Sequence, residues 1–269
     1  MSAASTQHVN PQTSSVTEPA SSAPPCSRAE LLAFTIARML VGLRHVAVGA
    51  SSPIPGAGAL LARELVVRTG QPALHLSILG SRRHNAFTNG GVEIFDMAGQ
   101  GRLDAFFLGG GQIDGQANIN LVGTGDYPDG PVRWPGSFGS AYLYHLVPRV
   151  ILFREEHTPR VFVPRVDFVS AAGPRPDAGH HRPGGPYALL TGRCLMDFDR
   201  ATRRFVLRCL HPGQTVADIR EATGFHFDVS PQVGPTEAPD EATLGLLRGV
   251  VRDQIGETYP RFAQTMSEA

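Results

Sequence analysis

His45-Val-Ala-Val-Gly49, Ser51-Ser-Pro-Ile-Pro-Gly56 and His75-Leu-Ser-Ile-Leu79 decide the fold. The first and third are short runs, apolar at nearly every position, which suits strands covered on both faces. Between them come a turn-rich link and then an Ala- and Leu-rich segment over about 57–68, long enough for a helix. Strand, glycine turn, helix, strand is the unit of a parallel α/β sheet. Further apolar runs at 105–108, 149–153, 161–163 and 167–169 are expected to continue that sheet. The fold class is α/β, an open and mostly parallel sheet covered by helices.

Working outward, Ser27 and Glu30 fit a capping box, and Leu31, Leu32, Phe34, Ile36, Met39 and Leu40 give the following helix an apolar face. Residues 1–26 are Ser-, Thr-, Pro- and Ala-rich, with too little apolar surface to offset the entropy of ordering, and are expected to form a disordered tail. Toward the other end, 173–186 reads as a surface loop, and 194–197 with 205–210 as a hairpin around Asp199-Arg-Ala-Thr202. Thr215 is placed to cap a helix to about Ala222, with Gly224 as its stop, and a last helix is expected over 240–255. The domain boundaries are then 27–258 for one α/β domain, with a C-terminal tail over 259–269.

The 269-residue chain is 42% hydrophobic and 18% charged, enough apolar content for a sizeable core. Its 24 basic and 24 acidic residues cancel, which removes the electrostatic case for a nucleic-acid or membrane-surface partner. Every basic residue is arginine, so lysine Schiff-base and P-loop chemistry are excluded. Cys26, Cys194 and Cys209 are too far apart for a CxxC pair and read as reduced structural thiols. No run approaches a membrane span, and the N-terminus lacks the pattern of a signal or transit peptide, so a soluble cytoplasmic chain is expected.

Chemistry concentrates in Gly109-Gly-Gly-Gln-Ile-Asp-Gly-Gln-Ala-Asn-Ile-Asn120, directly after the strand at 105–108. Ligands of open α/β sheets bind outside the carboxyl ends of strands, and glycines there admit close approach to the backbone. Free N–H groups in such a loop can hold a carbonyl oxygen as it gains negative charge. A tight turn that needs glycine for packing alone fits the same residues. A second loop, Trp134-Pro-Gly-Ser-Phe-Gly-Ser140, reads as a binding loop or as a flexible entry to the next element. The link at 51–58 is a weaker anion-site candidate at a helix start. The pair His180-His181 has no metal-site partners in the sequence, and no metal is expected. The run Arg154-Glu-Glu-His157 reads as a solvated turn.

Phe107-Leu-Gly-Gly-Gly-Gln-Ile-Asp114 with Gly115-Gln-Ala-Asn-Ile-Asn120 resembles the glycine loop of the β subunits of class I coenzyme A-transferases. The nearest likeness is to the glutaconate type. Gly125-Asp-Tyr127, Pro135-Gly-Ser-Phe-Gly-Ser140, Arg165-Val-Asp-Phe-Val-Ser170 and Thr223-Gly-Phe-His-Phe-Asp-Val-Ser230 extend the resemblance in order along the chain. It implies a subunit that works with a homologous α-type partner, as αβ or α2β2, on an acyl-CoA. Coenzyme A enters as part of the substrate, with no tightly bound cofactor. The implied substrate- or oxyanion-binding residues are Gly109, Gly110, Gly111, Gln112, Ser137 and Gly139.

In such transferases a β-subunit glutamate attacks the acyl-CoA and carries a glutamyl-CoA thioester. The resemblance places Leu79 at that position, followed by Gly80-Ser-Arg-Arg-His84 in a shortened loop. Leucine has no nucleophile, so the catalytic residue of this chain stays unassigned. The β subunits of a CoA-dependent steroid ring hydrolase, which this chain also resembles, lack the same glutamate. Hydrolysis or retro-Claisen cleavage of a CoA ester is therefore expected over transfer to a carboxylate acceptor. A non-catalytic, acyl-CoA-binding partner subunit is the expectation from another class.

Overall fold

Apolar side chains alternate between two faces along each central strand, and each face has its own core. In the computed structural model, which describes residues 26–88, 92–175 and 182–266, the chain runs α1 (Arg28–Met39), β1 (His45–Val48), α2 (Pro53–Arg68), β2 (His75–Ile78), α3 (Val92–Gly99) and β3 (Ala105–Leu108). Four two-residue strands follow: β4 (Gln112–Ile113), β5 (Ile119–Asn120), β6 (Gly123–Thr124) and β7 (Val132–Arg133). Then come α4 (Ser140–Leu146), β8 (Arg149–Arg154), β9 (Pro186–Thr191), β10 (Cys194–Asp199), β11 (Arg204–Leu210), α5 (Val216–Glu221) and β12 (Asp228–Pro235). The chain closes with α6 (Glu241–Leu246), a π-helical turn at Leu247–Val251, α7 (Arg252–Gly256) and α8 (Pro260–Thr265).

The main sheet has the order β12-β11-β10-β9-β8-β3-β1-β2. It is parallel except where β10 meets β9 and β11, the expected hairpin lying in between. Val46 stands opposite Leu76 and Ala105, and Phe107 opposite Ile151. Val46, Val48, Phe107 and Ile151 join the core beneath α1 and α2. Ala47, Phe106, Leu108 and Leu152 turn to the opposite core, with Tyr144, Phe162 and Phe205. The helices α1 and α2 approach so closely that a Cβ on Gly58 would fall 2.5 Å from the Ile36 side chain. Ser27 and Glu30 form the expected capping box.

Several expectations are corrected. The helix α2 begins at Pro53 rather than near residue 57, because proline is tolerated in a first turn, where no N–H partner is lost. The runs at 161–163 and 167–169 do not enter the main sheet. Phe162 only bridges Ile113, while Phe168 and Val169 are exposed. Gly224 does not cap α5, which ends at Glu221 with Ala222 as its cap; the Gly224 N–H donates to the Phe162 carbonyl at 2.7 Å, where a Cβ would collide. The last helix is broken at Gly249, whose φ of −104° and ψ of −105° are not helical. The segment 259–269 carries α8, followed by the buried Met266, where a tail is expected. Residues 1–25 of the expected tail over 1–26, and the pair His180 and His181, lie outside the described residues.

Candidate functional site

The strands β2, β1, β3 and β8 run parallel, so their carboxyl ends open on one side of the sheet. There Gly49 and Ala50 after β1, Leu79 after β2, the glycines after β3 and Arg154 at the end of β8 form one wall of a cavity of about 690 Å³. The helices α3 and α4 close it with Ile94, Phe95 and Leu143, and the loop from Trp134 to Ser140 covers it. A second hollow of about 420 Å³ shares Gly109 and Arg154 and extends over the start of α2. The two meet above β3 and β8.

Gly109, Gly110, Gly111, Ser137 and Gly139 all lie on the wall of the larger cavity. The packing reading of the glycine loop holds at Gly110, where a Cβ would fall 2.9 Å from the Gln112 carbonyl oxygen, and at Gly111. The Gly111 N–H donates to the Asn120 carbonyl at 2.9 Å, and the Trp134 ring occupies the space a side chain there would need. Gly139 is demanded in the same way by Phe95, whose ring lies 2.0 Å from where a Cβ would stand.

Gln112 is not on the wall. Its amide N–H donates to Asp167 Oδ2 at 3.1 Å, and its Oε1 accepts from Asn120 Nδ2 at 2.7 Å and the Asp167 N–H at 2.9 Å. That side chain is buried and spent on holding β4, β5 and the 167 loop together. Asp114 is likewise a turn clamp, accepting from the N–H groups of Gln116 and Asn118 at 3.0 Å.

The loop after Leu79 is anchored to the C-terminal helices. The Ser81 hydroxyl donates to Glu257 at 2.7 Å and accepts from the N–H groups of Arg83 and His84, while the Arg82 N–H donates to the same Glu257 carboxylate at 2.8 Å. Burial pushes the Glu257 carboxyl up, but the Arg82 and Ser81 hydrogen bonds outweigh it and hold the group below its usual range. Arg82 and Arg83 are exposed, and His84 sits half-buried against Arg63, its pKa lowered by burial and by that guanidinium. Leu79 itself faces the cavity, which among the described residues has no Asp or Glu on its wall.

Arg154 and Arg160 are the cations of that wall, and sequence reasoning missed both. The stretch from Arg154 to His157 is no solvated turn: Arg154 ends β8, and His157 is 2% exposed. His157 bridges the Thr191 and Thr223 hydroxyls at 2.9 Å each, and burial pushes its pKa down to about 4. The available signal was position, a charged residue closing a buried parallel strand at its carboxyl end. The Ser140 hydroxyl, on the opposite wall, is buried without a hydrogen-bond partner among the described residues.

Residues 26–222 match the family described as Coenzyme A transferase. The chain is 36% identical over 157 residues to the β-type subunit of 3-oxoadipate CoA-transferase from Pseudomonas knackmussii, covering 56% of this chain and 59% of that protein. It is 26% identical over 236 residues to the cholesterol ring-cleaving hydrolase IpdB subunit of Rhodococcus jostii, covering 84% and 92%. Against the transferase subunits the chain thus spans little over half their length, against the hydrolase subunit nearly all of it. The crystal structure of glutaconate coenzyme A-transferase from Acidaminococcus fermentans aligns at a TM-score of 0.71 and 26% identity, over 84% of this chain and 95% of that one. The family match covers most of the sheet, and the aligned structure shares the fold over 84% of this chain. By sequence and by fold, this chain is a β-subunit-like member of the coenzyme A transferase family.

Proposed function

We propose that this chain is the β-type subunit of a heteromeric enzyme that hydrolyses a CoA ester, or opens its ring by retro-Claisen cleavage, without a glutamyl-CoA intermediate on this chain. One observation carries the reading: Leu79 stands in the cavity wall where the family resemblance calls for the nucleophilic glutamate, and among the described residues no carboxylate on that wall replaces it. In the cleavage, water adds to a ring ketone, the adjacent C–C bond breaks, and its electron pair becomes an enolate that takes up a proton. The single ring-opened product carries the new carboxylic acid and the remaining ketone, and has gained one water. Gly109 and Gly110 would offer backbone amides to the developing oxyanion, since the Gly111 N–H is already committed to Asn120. A homologous α-type subunit would complete the pocket and supply the catalytic carboxylate.

Transfer of CoA to a carboxylate acceptor is the second reading, favoured by the 36% identity to a transferase subunit. The test is to isolate the chain with its native partner and supply open-chain and cyclic β-diketone acyl-CoA esters without acceptor. Free CoA, or a ring-opened ester heavier by one water, should appear, and the mass of this chain should stay unchanged. A hydroxylamine-sensitive CoA adduct on this chain, together with dependence on an acceptor acid, would overturn the proposal in favour of transfer.

A further inference from the structure

A separate hollow of about 650 Å³ shares no lining residue with the two cavities at the strand ends. The turn between β10 and β11 brings Arg203 and Arg204 to its wall, the loop before Asp167 brings Arg165, and Arg175 and Phe225 stand beside them. That turn lies at the amino end of β8, because its Arg200 donates through Nη2 to the Pro148 carbonyl at 3.3 Å. The cavities lie at the carboxyl end, with Arg154. At the rise of a strand, the residues from Pro148 to Arg154 span about 20 Å.

Four guanidinium groups thus line one concave space, and the acids on the same wall do not neutralise them. Asp114 Oδ1 is taken up by the N–H groups of Gln116 and Asn118, and Asp167 Oδ2 by the Gly125 N–H and the Gln112 amide. The side chains of Arg165, Arg175 and Arg203 form no ion pair or hydrogen bond among the described residues. Arg204 has Asp228 Oδ1 at 4.0 Å, an oxygen that His226 Nε2 approaches to 3.3 Å. Like charges gathered in this way repel one another, and an anion bound among them removes the repulsion. Arg203 stands there against its backbone preference. Its φ of 55° is left-handed, a hairpin position that favours glycine, yet glycine would remove the guanidinium from the wall.

A single carboxylate occupies one guanidinium fork, whereas linked phosphates carry the charge and the acceptor oxygens for several. We infer that this hollow is a second anion site, separate from the cavity at the strand ends, and that it takes a small molecule carrying two or more linked phosphates. Phe225, half-buried on the wall, adds aromatic surface for the base of a nucleoside di- or triphosphate. The inference does not depend on which reaction the large cavity performs.

The test uses the chain in its native complex, with CoA at saturation, and calorimetric titration of inorganic tripolyphosphate and of ATP. Both should bind at one site per chain, and tighter binding of ATP would identify a nucleotide as the source of the phosphates. Arg165→Gln and Arg203→Gly should each weaken both probes about tenfold or more, the range for a hydrogen bond to a charged group. Arg203→Gly should keep or raise the melting temperature, because glycine suits that turn, so lost binding is separated from lost fold. Arg208→Gln removes a guanidinium outside the hollow, one that pairs with Asp197, and should leave both affinities unchanged. Absence of saturable binding, an equal loss in Arg208→Gln, or binding that appears only when CoA is left out would overturn the inference. Tighter binding of a tetraglutamate peptide than of tripolyphosphate would also overturn it, in favour of a surface that docks an acidic protein segment.

Discussion

The Trp134 ring lies over Gly111 so closely that a Cβ on Gly111 would fall 2.3 Å from it. The last loop of the cavity is thereby seated on the glycine run that ends β3. Trp134 is the chain's single tryptophan, so its fluorescence reports this contact alone. Gly111→Ala should push the ring out, shift its emission, and destabilise the chain by about 1–3 kcal/mol as overpacking does. An unchanged spectrum and melting point would show that the loop yields freely.

Glu257 pins the loop that follows Leu79 through the Ser81 hydroxyl and the Arg82 N–H. Glu257→Ala should release Arg82 and Arg83, and trypsin should then cut there roughly tenfold faster, the effect of losing about 1–2 kcal/mol of local hydrogen bonding. The Glu257 carboxyl is held below its usual range, so the pin is complete above the unfolded-state pKa and is lost as pH falls through the folded one. Tryptic mapping at pH 7 checks the variant. An acid-stable protease at low pH checks the wild type.

Glu30 is fully buried, and Arg248 Nε donates to it at 2.6 Å. Burial pushes the Glu30 carboxyl up, and the Arg248 and Ser27 hydrogen bonds bring it below its ordinary value. Arg248→Met should cost about 3–5 kcal/mol, because it strands a buried carboxylate. As the folded-state pKa is depressed, the deficit relative to wild type should shrink as pH falls through it. Denaturant unfolding at pH 7 and near pH 3 measures both effects.

His157 is buried neutral between Thr191 and Thr223, its pKa pushed down to about 4 by burial and then by the charge of Arg193. Its folded value lies below the unfolded one, so protons favour the unfolded chain. Stability should fall as pH drops from about 6.5 toward 4, by on the order of 3 kcal/mol in all. His157→Gln should be less stable than wild type at pH 7 and should lack this share of the pH dependence. Urea unfolding across that range checks it.

Much of the architecture is legible in the sequence because its signals are local. Ser27 and Glu30 lie three residues apart and form their capping box. Thr215 caps α5 through the Asp218 N–H, and the hairpin of β10 and β11 surrounds its turn where expected. Misreadings arise where a local signal has a second solution. Proline reads as part of a link before 57 and is in fact a helix start, and the apolar run at 161–163 packs into a core without joining the main sheet.

The sequence by itself determined the α/β class, the family, the glycine loop and the leucine at position 79, since each is written in contiguous residues. Only the tertiary structure decided what those residues do. It paired Gln112 with Asp167, 55 positions away, seated the Trp134 ring on Gly111, and set Arg154 on the wall of the cavity. Periodicity and turn chemistry record the covalent neighbourhood of a residue. A buried hydrogen bond or a charge on a cavity wall depends on which distant strands the hydrophobic cores bring together.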